Sequence, residues 1–221
     1  GGNCLQIFVS NPMSGKVTDK AMQFYKERGS NIQKMLNEMN VKLFIHSPYT
    51  LNFAKDKINN SWASCYWITA LINELEIAHH IGAVGCVIHV GKSLDLNIDI
   101  ATNNMHESLL YVIEQIKIKK LNSIIILETG ANCGSEVGSR LNKLGEIRNK
   151  INIRHRHRIK FCIDTCHIYA AGYDLTDNNF VDNIQSDHYQ FLLQDYYKYL
   201  YIIFQQIYPT QFLLLPSLLM L

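Results

Sequence analysis

Ile159-Lys160-Phe161-Cys162-Ile163-Asp164-Thr165-Cys166-His167 is the stretch from which the architecture can be read. A short run rich in apolar and β-branched residues stops at an aspartate, and a histidine follows three residues later. Such a run, bounded this way, predicts a buried strand. The pattern repeats upstream. Residues 123–128 end on Glu128 after Ile125-Ile126-Leu127, residues 84–89 end on His89 after Val87-Ile88, and residues 41–46 end on His46 after Phe44-Ile45. Residues 5–9 form an earlier run of the same kind, and 199–203 a weaker, later one. Between the runs the apolar period changes to three and four. Met22, Tyr25, Ile32, Met35, Leu36 and Met39 are spaced so, as are Ile68, Leu71, Leu75 and Ala78, and Leu109, Leu110, Ile113 and Ile116. Strand and helix in alternation predict an α/β fold with a parallel sheet.

What ends the strands is the functional signal. Four successive strands terminate in His46, His89, Glu128 and Asp164, with His167 just beyond. In a parallel barrel all strands run the same way, so these side chains converge on the C-terminal rim, where such barrels carry their chemistry. Imidazole with carboxylate is the ligand set of hydrolytic zinc, or of manganese and magnesium where oxygens dominate. A carboxylate such as Glu128 can bridge two ions. Two neighbouring ions stabilise the attacking and leaving oxygens of a phosphoryl centre, which favours phosphodiester hydrolysis.

The 221 residues are 48% hydrophobic, 18% charged and 10% aromatic, an ordinary globular composition that excludes disorder, collagen and coiled coil. A net charge of +2 provides no overall basic field, so any nucleic acid would be met by a local surface. The basic run Arg154-His155-Arg156-His157-Arg158 precedes the fifth strand and is expected to be a solvated loop on the far side from the rim. Six cysteines scattered through apolar runs, with no C-x-x-C pair, fit a reducing compartment better than a disulfide framework. The chain opens with no charged-then-apolar leader, and the expected location is intracellular, cytoplasmic or nuclear. The apolar stretch 200–221 is interrupted by Gln205, Gln206, Pro209 and Pro216 and does not make a membrane span, which needs about 20 clean apolar residues.

Several segments resemble the endonuclease IV family, the zinc-dependent apurinic/apyrimidinic endonucleases of base excision repair. Cys162-Ile163-Asp164-Thr165-Cys166-His167, continued by Ala170-Ala171-Gly172-Tyr173-Asp174-Leu175, is similar to the family's C-I-D-T-C-H…A-A-G-Y-D-[IL] signature. Leu127-Glu128-Thr129-Gly130-Ala131, Ile88-His89-Val90-Gly91-Lys92-Ser93 and His46-Ser47-Pro48-Tyr49-Thr50-Leu51-Asn52 resemble three further segments, in the family's order. The resemblance covers residues 2–203. It implies a (β/α)8 barrel of TIM type with three zinc ions in a DNA-binding groove. His46 and His89 would bind the first zinc, Glu128 would bridge the first and second, Asp164 would bind the second and His167 the third. Glu128 and Asp164 are the catalytic carboxylates on this reading. Tyr49 matches the tyrosine that enters the DNA at the abasic site, or is a ring packed on the rim, and Lys92 and Ser93 are either phosphate contacts or an exposed loop pair. The remaining histidines, His79, His80, His106, His155, His157 and His188, have no matched role.

The implied activity is hydrolysis of double-stranded DNA on the 5′ side of an abasic site, leaving a 3′-hydroxyl and a 5′ deoxyribose phosphate. The oligomeric state is left open. The resemblance is incomplete at both ends. Residues 1–203 correspond to about six βα units, the family's second to seventh strands. Phe204-Gln205-Gln206-Ile207 stands where the family has H-L-N-D, and no His, Asp, Glu or Cys follows Ile203. Only the first zinc keeps its three matched ligands. The expectation is a partial barrel over 1–203 with a divergent apolar tail over 204–221, unrelated or out of frame. Two readings compete with the nuclease: a catalytically incomplete fragment of the same family, and a divalent-metal sugar isomerase or epimerase on the same barrel.

Overall fold

The computed structural model describes residues 3–175 and 200–203, and within them strand and helix alternate as the spacing predicts. The order is β1 (Cys4–Ile7), α1 (Asp19–Glu38), β2 (Lys42–His46), α2 (Tyr66–Ile81), β3 (Gly85–His89), α3 (Ile98–Ile118), β4 (Ile124–Glu128), α4 (Leu141–Lys150), β5 (Ile159–Asp164), α5 (Thr165–Ala170) and β6 (Leu200–Ile203). The six strands lie in one sheet in sequential order, and every neighbouring pair is parallel. Sequential parallel strands joined by helices make this an α/β fold of TIM-barrel type, with six strands among the described residues. The tail 204–221, His188 and Tyr199 at the expected start of the sixth strand lie outside the described residues.

Alternation along each strand decides what faces where. Leu43, Ile45, Cys86, Ile88, Ile125, Leu127, Ile159 and Phe161 join the main core, packed with Leu71, Leu75, Ala78, Leu109, Ile113 and Ile116 of α2 and α3. Full burial of one such aliphatic side chain stabilises by about 1.5–3 kcal/mol. Phe44, Val87, Ile126 and Cys162 point the other way and form a separate apolar layer on the concave face. Side chains two residues apart share a face of a strand. His46, His89, Glu128 and Asp164 each follow a member of that inner layer by two residues, so all four face inward, directly above an apolar floor.

The register staggers this layer. His46 pairs with Val87, whereas His89 pairs with Glu128 and Glu128 with Cys162. Two of these three steps are displaced by two residues, the shear that tilts strands in a closing sheet.

Thr18 caps α1 by accepting the Ala21 N–H at 3.2 Å. Met22, Tyr25, Ile32 and Leu36 pack on the core, but Met35 and Met39, which share their spacing, are exposed. α1 lies so close to α2 that a Cβ on Gly29 would collide with the His80 carbonyl oxygen. α4 has no counterpart among the spacings read from the sequence. Among the described side chains, Leu144, Ile147 and Ile151 anchor it in a largely polar run interrupted by Gly145.

The basic run is a 3-10 turn, Ile153–Arg158, at the start of β5 and so away from the rim, as expected. It is not simply solvated. Arg156 donates to the carbonyls of Ile151 (2.9 Å) and Asn149 (2.7 Å), and Arg158 to that of Leu121 (2.7 Å). These guanidinium groups pair with carbonyls at the end of α4 and in the turn before β4. No helix among the described residues is long and apolar enough to cross a membrane.

Candidate metal centre

Glu128 occupies the middle of the rim. Its Oε2 lies 3.1 Å from His46 Nε2 and 3.6 Å from His89 Nε2, and its Oε1 lies 3.7 Å from His167 Nδ1. Two groups of donor atoms result, each within 4.8 Å of one another: His46, His89 and Glu128, and Glu128, Asp164 and His167. Glu128 belongs to both. His167, expected to serve a separate ion, is gathered here with Asp164, 3.8 Å from its Oδ2.

Local structure explains the Asp-Thr-Cys-His spacing. Asp164 is the N-cap of α5, and its Oδ1 accepts the N–H groups of Cys166 (2.7 Å) and His167 (3.1 Å). A capping carboxylate so engaged has its second oxygen to spare, and the third helical residue returns above it. Thr129 completes the arrangement. Its hydroxyl accepts the Asp164 N–H at 3.1 Å and its carbonyl accepts from His167 Nδ1 at 2.8 Å.

His46 is oriented in the same manner. Its Nδ1 donates to the Ser47 carbonyl at 2.6 Å, which turns Nε2 toward Glu128. Such a hydrogen bond from the distal ring nitrogen is the usual accompaniment of a ligating imidazole. The Ser47 hydroxyl donates in turn to Glu74 of α2 at 2.7 Å.

Burial pushes the Glu128 carboxyl up, but the His46 hydrogen bond and the charges of His89, His46 and His167 outweigh it and hold the group below its ordinary value. Burial pulls His46 down, yet the Glu128 hydrogen bond and charge leave it above its ordinary value. His89 is held down, first by burial and then by His46 and His167, against the pull of Glu128. Asp164 is raised by burial and by the Glu128 charge, against the N–H groups that favour its ionised form.

These groups fit a divalent cation. His89 Nε2 and Asp164 Oδ2 are both buried without a hydrogen-bond partner. Leaving a buried polar atom unpaired costs about 1–3 kcal/mol, and such atoms call for an explanation. One lies in each donor group, and both are donor types that zinc accepts.

The remaining predicted residues frame this centre. Tyr49 is 57% exposed, and its ring meets Phe8 at 5.5 Å, His46 at 5.5 Å and His89 at 5.6 Å between centroids. Lys92 is exposed on the rim, while Ser93 beside it is buried and donates its N–H to the Ser135 carbonyl. A cleft of about 390 Å³ runs between Tyr49, Asn52, Lys55, Lys92, His89 and His167. A second cleft, of about 540 Å³, lies near the starts of the strands around Lys26, His79, His80 and Asn122 and contains neither donor group.

Phe8, Glu74 and Thr129 carry no role in the sequence reading. For Glu74 a signal existed: it stands three residues after Leu71 and four before Ala78, on the apolar face of its helix.

A family model described as xylose isomerase-like TIM barrel matches residues 1–202. A protein of Acanthamoeba polyphaga mimivirus that bears the name putative endonuclease 4 is 33% identical over 181 residues, covering 80% of this chain and 55% of its own length. The chain spans less than two thirds of the length of such curated relatives. The crystal structure of endonuclease IV from Thermus thermophilus superposes with a TM-score of 0.61 at 21% identity, over 84% of this chain and 62% of that one. A D-tagatose 3-epimerase-like protein superposes equally well, with a TM-score of 0.61 at 18% identity over 84% and 63%. Fold likeness therefore does not choose between their chemistries, and the site must.

Proposed function

The chain belongs to the xylose isomerase-like TIM-barrel family, and from that premise we propose that it is a metal-dependent DNA repair endonuclease of the endonuclease IV type. It would hydrolyse the phosphodiester bond 5′ to an abasic site in double-stranded DNA. The observation that carries this reading is the position of Glu128 in both donor groups, the arrangement expected of a bridging carboxylate. The names of the curated relatives support it.

His46, His89 and Glu128 would hold one ion, and Glu128 and Asp164, with His167 beside them, a second. Zinc suits the imidazole-rich first group. When bound, such ions polarise phosphate oxygens and make water acidic enough to serve as a nucleophile near neutral pH. The chain's own residues do the rest. Glu128 and Asp164 present fixed negative charge on an apolar floor, so cation binding there meets little competition from water. Lys92 brings positive charge to the cleft for the phosphodiester backbone, with Ser93 anchoring its loop to Ser135. Tyr49, packed edge-on or tilted against Phe8, His46 and His89, presents an exposed aromatic ring at the mouth, suited to filling the gap left by a missing base.

The test is incision of a duplex oligonucleotide with one abasic site by the 221-residue chain, before and after prolonged chelation. Cleavage 5′ to the site that chelation abolishes and zinc restores is the expected result. Folded, zinc-loaded protein that leaves the duplex intact would overturn the activity for this chain.

A further inference from the structure

Glu74 is fully buried on α2, in a helix face otherwise made of core residues, and the metal reading does not use it. Its carboxylate collects three donors from three strands or their ends. Ser10, just past β1, donates its hydroxyl to Oε1 at 2.8 Å; Ser47, just past β2, donates to Oε2 at 2.7 Å; and Cys86 of β3 approaches Oε2 at 3.5 Å. Ser47 is the residue whose carbonyl accepts from His46 Nδ1 at 2.6 Å, and its own N–H goes to the Val87 carbonyl at 2.8 Å. Ser47 is thus held through both of its backbone groups and through its hydroxyl, and Glu74 is the acceptor for that hydroxyl. Burying a carboxylate is costly unless hydrogen bonds satisfy it, so a glutamate at this position has to be explained by what it holds.

We propose that Glu74 is a positioning residue for the metal centre: through the Ser47 hydroxyl it sets the carbonyl that fixes the His46 ring, and so sets the affinity of the His46–His89–Glu128 group for a divalent ion. The inference rests on the metal reading above and deepens it. Partners one step removed from a ligand commonly govern metal affinity by about 10–100-fold.

The experiment uses the full chain carrying Asp164→Asn, which keeps the α5 cap but disables the second donor group, so that cobalt(II) reports the first. Titration is followed by the visible absorption of the bound ion, whose intensity and band positions depend on ligand geometry. Ser47→Ala and Glu74→Leu, which act through the Ser47 carbonyl rather than on the ligand directly, are each expected to weaken cobalt binding toward the low end of that range, up to about 10-fold, and to alter the bands. Combining them should cost no more than the worse of the two, because they break one connection. Glu74→Gln keeps the size and one acceptor oxygen and should retain most of the affinity. Leu71→Ala, one turn away on the same helix face, loosens the core without touching Ser47 and should lower the melting temperature while leaving cobalt binding unchanged.

Unaltered affinity and bands in both Ser47→Ala and Glu74→Leu would overturn the role of Glu74 and leave the metal reading standing. Equal loss in Leu71→Ala would overturn it too, as a general effect of core stability. Absence of cobalt binding by the chain without any of these substitutions, Asp164→Asn included, would overturn the metal reading itself. Should Glu74→Leu not fold, Ser47→Ala decides alone, since it leaves the carboxylate and its other two donors in place.

Discussion

Asp164 does two jobs with two oxygens. Oδ1 caps α5 by accepting from Cys166 and His167, while Oδ2 stays buried without a hydrogen-bond partner, facing the centre. A substitution can separate the jobs. Asparagine caps a helix about as well as aspartate does, because its carbonyl oxygen accepts the same N–H groups. Its amide nitrogen cannot ligate a metal. Asp164→Asn is therefore expected to fold normally, with a metal-free stability within about 1 kcal/mol of the parent. It also relieves the repulsion between Asp164 and Glu128 that helps to raise the Asp164 carboxyl. Incision of an abasic-site duplex should nevertheless fall by at least about 100-fold, the upper end of what disturbing an outer partner costs. Circular-dichroism melts of metal-free protein and single-turnover incision rates check the two halves separately. A comparable loss of melting temperature and activity would mean that the cap, and not the ligand, is what matters.

Helices reach this arrangement through packing and through a clamp that joins three of them. Glu76 of α2 meets Lys26 of α1 at 2.7 Å and Lys119, the C-cap of α3, at 2.8 Å. Partial burial pushes its carboxyl up, but the hydrogen bonds and charges of Lys119 and Lys26 outweigh that and leave it below its ordinary value. A carboxyl whose folded value lies below its unfolded one adds stability above the unfolded value. That stability is lost as pH falls through the folded value. Glu76→Gln should accordingly be less stable than the parent at pH 7, by about 1 kcal/mol or less because both lysines are partly exposed. The difference should begin to close as pH falls below the ordinary glutamate value and vanish once the folded carboxylate, which is held lower, is protonated too. Urea titrations of both proteins at about pH 7 and at a series of acid values from about pH 4.3, the ordinary glutamate value, downward measure it. A gap that stays the same across the whole series would show that the ion pairs contribute nothing specific. The clamp lies on the far side of α2 from the centre, so metal affinity should not change with it.

At the level of the whole molecule, the parts that can be read from the sequence are those encoded locally. A run of apolar residues closed by His46, His89, Glu128 or Asp164 needs no distant information, and parity with the inner layer of Phe44, Val87, Ile126 and Cys162 does the rest. What cannot be read is encoded at a distance. Glu74 takes its donors from residues 64, 27 and 12 positions away, so only the folded chain brings them to one carboxylate. α4 escapes because three buried aliphatics in a polar run make a weak period. Arg156 and Arg158 read as solvated charges because nothing in a basic run announces which carbonyls it will reach. The same distinction bears on stability. The strand-end donor groups of β2, β3, β4 and β5 come together only when the sheet is formed, so an ion that needs them would bind the folded chain and not the unfolded one. Mass action then ties metal to fold: at about 100 times its dissociation constant, a single ion stabilises by about 2.7 kcal/mol. For a chain of this size that corresponds to a rise in melting temperature of roughly 5–10 °C. Zinc added to chelator-treated protein should produce that rise. Glu128→Ala, which removes the donor common to both groups, should abolish it. His106→Ala, a histidine on α3 outside both donor groups, should leave it intact. Differential scanning calorimetry with and without zinc measures all three proteins. If zinc raised the melting temperature of Glu128→Ala as much as that of the parent, the stabilising site would have to lie elsewhere and the rim would not be the metal centre.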